Sequence, residues 1–254
     1  MSYEEREAQA RRVDDLYEQV DEAILALLIA ALATGSAQRV YMAGEEAKAL
    51  IWDAYRESAL WNTEAIPQLY GSVTPLWDVS FQNLYQSSDT RFYQMSLTAA
   101  RRVDDLVANF ENATARREAL AQFQANRQGL MADELARQME ATLREYGITG
   151  FTDAAGRRWK LKTYAEMAAR TTTMDAELAG VKDRVVSEGG DLVAIVGPLD
   201  YPDGCPPSVF GGPYSVTGAT KEYHGEPILS LDEAIRVYGV FHPRCRHSLV
   251  PVAG

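Results

Sequence analysis

The stretch Gly147-Ile148-Thr149-Gly150-Phe151-Thr152-Asp153, followed by Gly156-Arg157-Arg158-Trp159-Lys160-Leu161, is where this sequence changes its period. Upstream, apolar residues return every three or four positions, as they do on one face of a helix. Here two short runs, Ile148 to Phe151 and Arg158 to Leu161, flank the turn residues Asp153 to Gly156, a pattern that predicts two strands. The fold is therefore expected to be α+β. A long all-α N-terminal region covers 1–146, with a sub-boundary near 67–75, and a small mixed α/β domain with short strands covers 147–254.

Working back from Gly147, 114–146 carries a helical pattern with Gly129 as its interruption and Gly147 as its stop. Before it, Leu76 to Tyr85 reads as one helix and Phe92 to Phe110 as another, with Asp89 as the N-cap of the second. A helix over Glu45 to Trp61 ends ahead of Pro67, Gly71 and Pro75. The first helix runs from Tyr3 to Ala33 through Val13, Leu16, Tyr17, Val20, Ile24, Leu27, Leu28 and Ala31. Its segment from Ile24 onward is apolar nearly all round, which suits a bundle core or a partner chain. The Asn112-Ala113-Thr114 triplet has the form of a glycosylation acceptor but follows no secretory signal, so it is read as chance.

Working forward, Thr163 and Glu166 have the spacing of a capping box for a helix from Tyr164 to about Leu178. Leu192 to Val196 fits a buried strand, and the Pro- and Gly-rich segment Gly197 to Gly212 fits an irregular loop. Tyr214 to Thr217 is expected as a strand. Ser230 and Glu233 make a second capping box for a short helix ending near Gly239, and Leu249 to Val252 a last strand.

Composition narrows the function. With 254 residues and 46% hydrophobic content the chain can bury one large core or two medium ones. Its net charge of -11 argues against general nucleic-acid binding, because a duplex repels such a surface. The longest apolar run, Ala23 to Ala33, is shorter than the roughly 20 residues that span a bilayer. No membrane partner is expected, and synthesis in the cytoplasm is. Two cysteines make no disulfide framework.

The chemistry gathers at the far end. Phe241-His242-Pro243-Arg244-Cys245-Arg246-His247 holds two of the three histidines and one of the two cysteines. Together with Cys205 it offers a conditional metal set, Cys205, His242, Cys245 and His247, whose thiolates and imidazoles suit a closed structural zinc site. The alternative is a packed turn, with Cys245 buried as a small hydrophobe and His247 bonded to a backbone carbonyl. A cysteine-dependent hydrolase would instead pair Cys205 with His242 or His247, with Asp200 or Asp203 orienting the base, but no nucleophile signature surrounds Cys205. No catalytic residues are assigned.

The Gly147–Asp153 and Gly156–Leu161 strings, with Tyr164-Ala165, Ala169-Arg170-Thr171-Thr172, Gly204-Cys205-Pro206, Tyr214-Ser215-Val216-Thr217-Gly218 and the Phe241–His247 run, resemble tailed-phage minor capsid proteins. Those are related in turn to the Mu F-like head morphogenesis proteins. The resemblance covers roughly residues 147 to 252. It implies a structural virion protein in modest copy number, assembled in the bacterial host cytoplasm into the capsid interior. Its implied partners are the major capsid protein, the portal or both. Members often carry another cysteine two or three residues after the one matching Cys205, and here those places hold Pro207 and Ser208. Relatives also resemble an ADP-ribosyltransferase scaffold, which would use Arg170, Thr171 to Thr173 and Glu222 or Glu226, although a shared fold does not carry chemistry with it. The basic positions Arg157, Arg158, Lys160, Lys162 and Arg170 are candidate partner contacts, to packaged DNA, to an acidic protein face, or to the chain's own helices.

Overall fold

The computed structural model describes residues 3–34, 36–71, 79–111, 143, 150–152, 156–198, 206–210, 212–242 and 245–252. Four long helices dominate the described residues: α1 (Tyr3–Ala33), α2 (Ala37–Tyr70), α3 (Val79–Glu111) and α4 (Leu161–Ser187). Short elements accompany α4. A hairpin of β1 (Gly150–Thr152) and β2 (Arg158–Lys160) precedes it. After it come β3 (Leu192–Val196), a 3₁₀ turn (Pro207–Phe210), β4 (Pro213–Ser215), a small hairpin of β5 (Glu222–Tyr223) and β6 (Glu226–Pro227), α5 (Leu231–Tyr238) and β7 (Ser248–Pro251). The α+β expectation holds.

Packing divides the chain into two compact units assembled from separated segments. One comprises Met1–Arg11, Trp61–Ser88 and Met167–Gly254, the other Arg12–Leu60 and Asp89–Glu166. The second unit is a helical core. Val13, Tyr17, Val20, Ile24 and Leu28 of α1, Val40, Ala43, Ala47 and Ile51 of α2, and Phe92, Met95 and Val103 of α3 are all buried, and Tyr17 stacks on Phe92. The Ile24–Leu32 segment joins this core: Ile24, Leu25, Leu28 and Ala31 are buried, while Leu27, Ile29 and Leu32 are half-buried.

In the first unit β3 is the middle of an antiparallel sheet ordered β4-β3-β7, with Val193 opposite Tyr214 and Ile195 opposite Leu249. Val193 and Ile195 face a core shared with Met174, Val181 and Val185 of α4, Leu231 and Ala234 of α5, and Cys245. The apolar run of β3 suits that central place, and Pro213 and Pro251 fall on outer strands where a missing N–H is tolerated. α5 is fixed at both ends. Ser230 Oγ accepts from Glu233 N, the Glu233 carboxylate accepts from Ser230 N, and Gly239 closes the helix in the left-handed region at φ 64°.

Several boundaries differ from expectation, each for a local reason. α2 begins at Ala37, eight residues early, because Ser36 accepts the first helical N–H groups from Arg39 and Val40. It also runs through Pro67. That proline lies in the last turn, where only one backbone bond is forfeited and buried Ala65, Ile66, Leu69 and Tyr70 hold the helix. α3 is unbroken from Val79, so Asp89 is no cap; its carboxylate accepts from the Tyr55 hydroxyl at 3.0 Å. α4 begins at Leu161, which puts Thr163 inside the first turn and removes its capping role. It passes Leu178 and ends at Ser187. The expected helix over 114–146, apart from Leu143, and the triplet at Asn112 lie outside the described residues.

Candidate functional site

The Cys/His run lies against β3, α4 and the start of α1. Cys245 N donates to the His242 carbonyl at 2.8 Å, closing the turn predicted around Pro243, whose own placement is outside the described residues. Cys245 and His247 are both buried, and Cys245 Sγ lies 3.1 Å from His247 Nδ1. That is a direct thiol–imidazole hydrogen bond. The His247 ring also packs beside Phe210 and flush against Gly197, where an added Cβ would come within 2.6 Å of the imidazole. Phe241, just ahead of the run, has φ 63°, a strained value for a bulky side chain.

Of the four zinc candidates, Cys205 lies outside the described residues, as do Asp200 and Asp203 of the hydrolase reading. Among the described residues no group of three or more His, Cys, Asp or Glu side chains is arranged to hold a metal ion. The structure brings Cys245 and His247 of that set together. Elemental analysis of untagged protein decides the zinc set Cys205, His242, Cys245 and His247.

Behind His247 sits a charged cluster that the sequence reading missed. Arg6 is 2% exposed: its Nε lies 2.9 Å from Glu177 Oε2, and its Nη2 donates to the His247 carbonyl at 3.2 Å. Burial pushes Glu177 up from its ordinary carboxylate value, opposed by Arg6 and by the Ser248 hydroxyl. Burial, then the neighbouring guanidinium, holds His247 below its ordinary value, which favours the neutral imidazole. The signal was the helical stripe itself. Arg6 continues the buried series Ala10, Val13, Tyr17 and Val20 one turn toward the start of α1.

The basic candidates separate by surroundings. Arg170 pairs with Glu7, both largely buried, and Lys162 lies 2.7 Å from Glu18. Arg157 stacks on Trp159 and is exposed, as is Lys160. The side chain of Arg158 lies outside the described residues. Thr172 donates to Ser88 Oγ at 2.9 Å, and Ser88 to Asn62 Oδ1 at 2.7 Å, a buried polar chain linking α4, α3 and α2. Arg170 and Thr172 are thus engaged in structural contacts.

A second constellation explains the Tyr214–Gly218 string. Asp191 accepts from the hydroxyls of Ser215, Thr217 and Thr220 and from the backbone N–H of Thr217 and Thr220, at 2.6 to 3.1 Å. Burial works to raise its carboxyl, but the bonds from Ser215, Thr220 and Thr217 outweigh it and hold the group far below the usual carboxylate range. A folded value below the unfolded one gives stability that is complete above about pH 4 and lost as pH falls toward the folded value. Asp191→Asn is expected to cost about 1 to 2 kcal/mol near neutrality and to flatten the acid limb of the stability curve below about pH 4. Urea melts at stepped pH measure both. An unchanged acid limb contradicts the role of Asp191.

A family model described as Phage minor capsid protein 2 matches residues 62–253. No curated protein and no solved structure matches the chain.

Proposed function

Because the chain belongs to the phage minor capsid protein 2 family, its role is structural and lies in the virion, and we propose that it docks to the inner capsid surface or to the portal during head assembly. The family match is the observation that carries this reading. The fold supplies surfaces suited to such contacts. Met42 and Leu60 on α2 are 60% and 57% exposed, and an open groove of about 450 Å³ between α2 and α3 is lined by Ala49, Trp52, Leu97 and Ala100 together with the charged Glu45, Lys48, Arg101 and Asp104. Apolar side chains left in water favour protein contacts, since covering each recovers roughly 1.5 to 3 kcal/mol when burial is complete.

The Ile24–Leu32 segment is less suited to docking, since its Ile and Leu side chains are buried or half-buried in their own unit and only Ala26 and Ala30 are exposed. Head morphogenesis and contact with packaged DNA belong to the same proposal. For DNA, Arg157 and Lys160 are the relevant cations, because both side chains are exposed. No helix among the described residues is long and apolar enough to cross a membrane. The ADP-ribosyltransferase reading gains no support from the geometry around Arg170, which pairs with Glu7, and the hydrolase reading rests on Cys205, outside the described residues.

Full-length protein carrying Met42→Asp and Leu60→Asp should keep its helical content, because both side chains are exposed. It should enter assembling heads about tenfold less than the parent, the equivalent of 1.4 kcal/mol of lost contact. Quantitative mass spectrometry of purified heads reads this out. Incorporation at the parent level would remove these residues from the docking surface, and absence of the parent protein from heads would remove the proposal.

A further inference from the structure

Arg6 and Glu7 are consecutive in α1, both are buried, and both pair with α4: Arg6 with Glu177, and Glu7 with Arg170. The pairs run in opposite sense, and their α4 members lie seven positions apart, about two turns. Reversing the direction of α1 would set Arg6 against Arg170 and Glu7 against Glu177. The charges therefore fix one direction and one register, the best-attested use of buried ion pairs.

Arg6 also reaches the Cys/His run. Its Nη2 donates to the His247 carbonyl, its Nη1 lies 2.8 Å from Met174 Sδ, and the guanidinium groups of Arg6 and Arg246 lie 5.8 and 5.6 Å from the Tyr3 ring. The start of α1 thus holds the backbone that positions Cys245, whose thiol is 1% exposed. From this arrangement we propose that the first turns of α1 form a charged clasp that opens as a local unit, and that the Cys245 thiol becomes reachable when it does. Ions released to water recover their hydration, so a seam built on them opens more readily than an apolar seam of equal area. Elsewhere in its surroundings Cys245 is held by apolar core residues that stay in place when the clasp opens.

The test uses the full-length chain, a maleimide as the thiol probe, and peptide mapping to separate Cys245 from Cys205. Local opening predicts that Cys245 modification depends on urea less than half as steeply as global unfolding, because less surface is exposed. Arg6→Met and Glu177→Gln should each raise that rate about tenfold, while amide exchange over residues 45–58 stays at the parent rate. Modification that follows global unfolding in the parent protein overturns the proposal. So does an equal acceleration of labelling and of exchange over 45–58 in the variants. Should either variant fail to fold, the urea dependence of the parent decides alone.

Discussion

Replacing Gly180 by alanine is expected to destabilise the protein by about 3 kcal/mol or more, although the same change in an ordinary helix interior stabilises by about 1 kcal/mol. The sign reverses because α4 meets backbone at this position. An added Cβ would lie 2.7 Å from the carbonyl carbon of Tyr70, 3.0 Å from its Cα and closer still to its oxygen. A flexible side chain could swing aside, but the last turn of α2 cannot. Tyr70 is itself fixed, its ring edge-on to Phe81 and its hydroxyl donating to Asp183. Urea melts of Gly180→Ala and parent decide the matter. A neutral or stabilising alanine would mean that α2 and α4 do not approach as described.

A fragment spanning 147–254 is expected to show no cooperative melt. It would keep Glu177 without Arg6, Arg170 without Glu7, Thr172 without Ser88 and Gly180 without Tyr70. Losing one partner of a buried ion pair costs about 3 to 5 kcal/mol, comparable with the whole stability of many small domains. Calorimetry of the fragment beside the full chain measures the difference. A sharp, reversible transition in the fragment would instead make Gly147 the start of an autonomously folding domain.

What the sequence made legible were features with a local cause. β3 was read to the residue, since a continuous apolar run between turn signals has few other uses. The Ser230–Glu233 box and Gly239 gave α5 for the same reason, each satisfying backbone groups within one turn of itself. The box at Thr163 failed because its spacing is equally at home inside a helix, and the buried Leu161 draws the first turn three residues earlier. Pro67 read as a break, yet the buried Ala65, Ile66, Leu69 and Tyr70 carry the helix through it, while Gly180, which drew no reading, marks a close helix approach.

The candidate site was half visible. The spacing of His242, Cys245 and His247 singled this run out, and Cys245 and His247 are in contact. What they pack against came from far away in the chain. Arg6 is 241 positions from His247, and Asp191 gathers hydroxyls 24 to 29 positions downstream. Neither partnership leaves a periodic trace; the one hint was a charge sitting on an otherwise apolar stripe.

The most direct test of the structural role proposed here is an image reconstruction of the intact phage head without symmetry imposed near the portal. The account predicts density for this chain on the inner face of the shell or against the portal, with the exposed α2 residues Met42 and Leu60 in the contact. Finding the chain only on the outer surface or in the tail, or finding purified heads that lack it, would contradict the account.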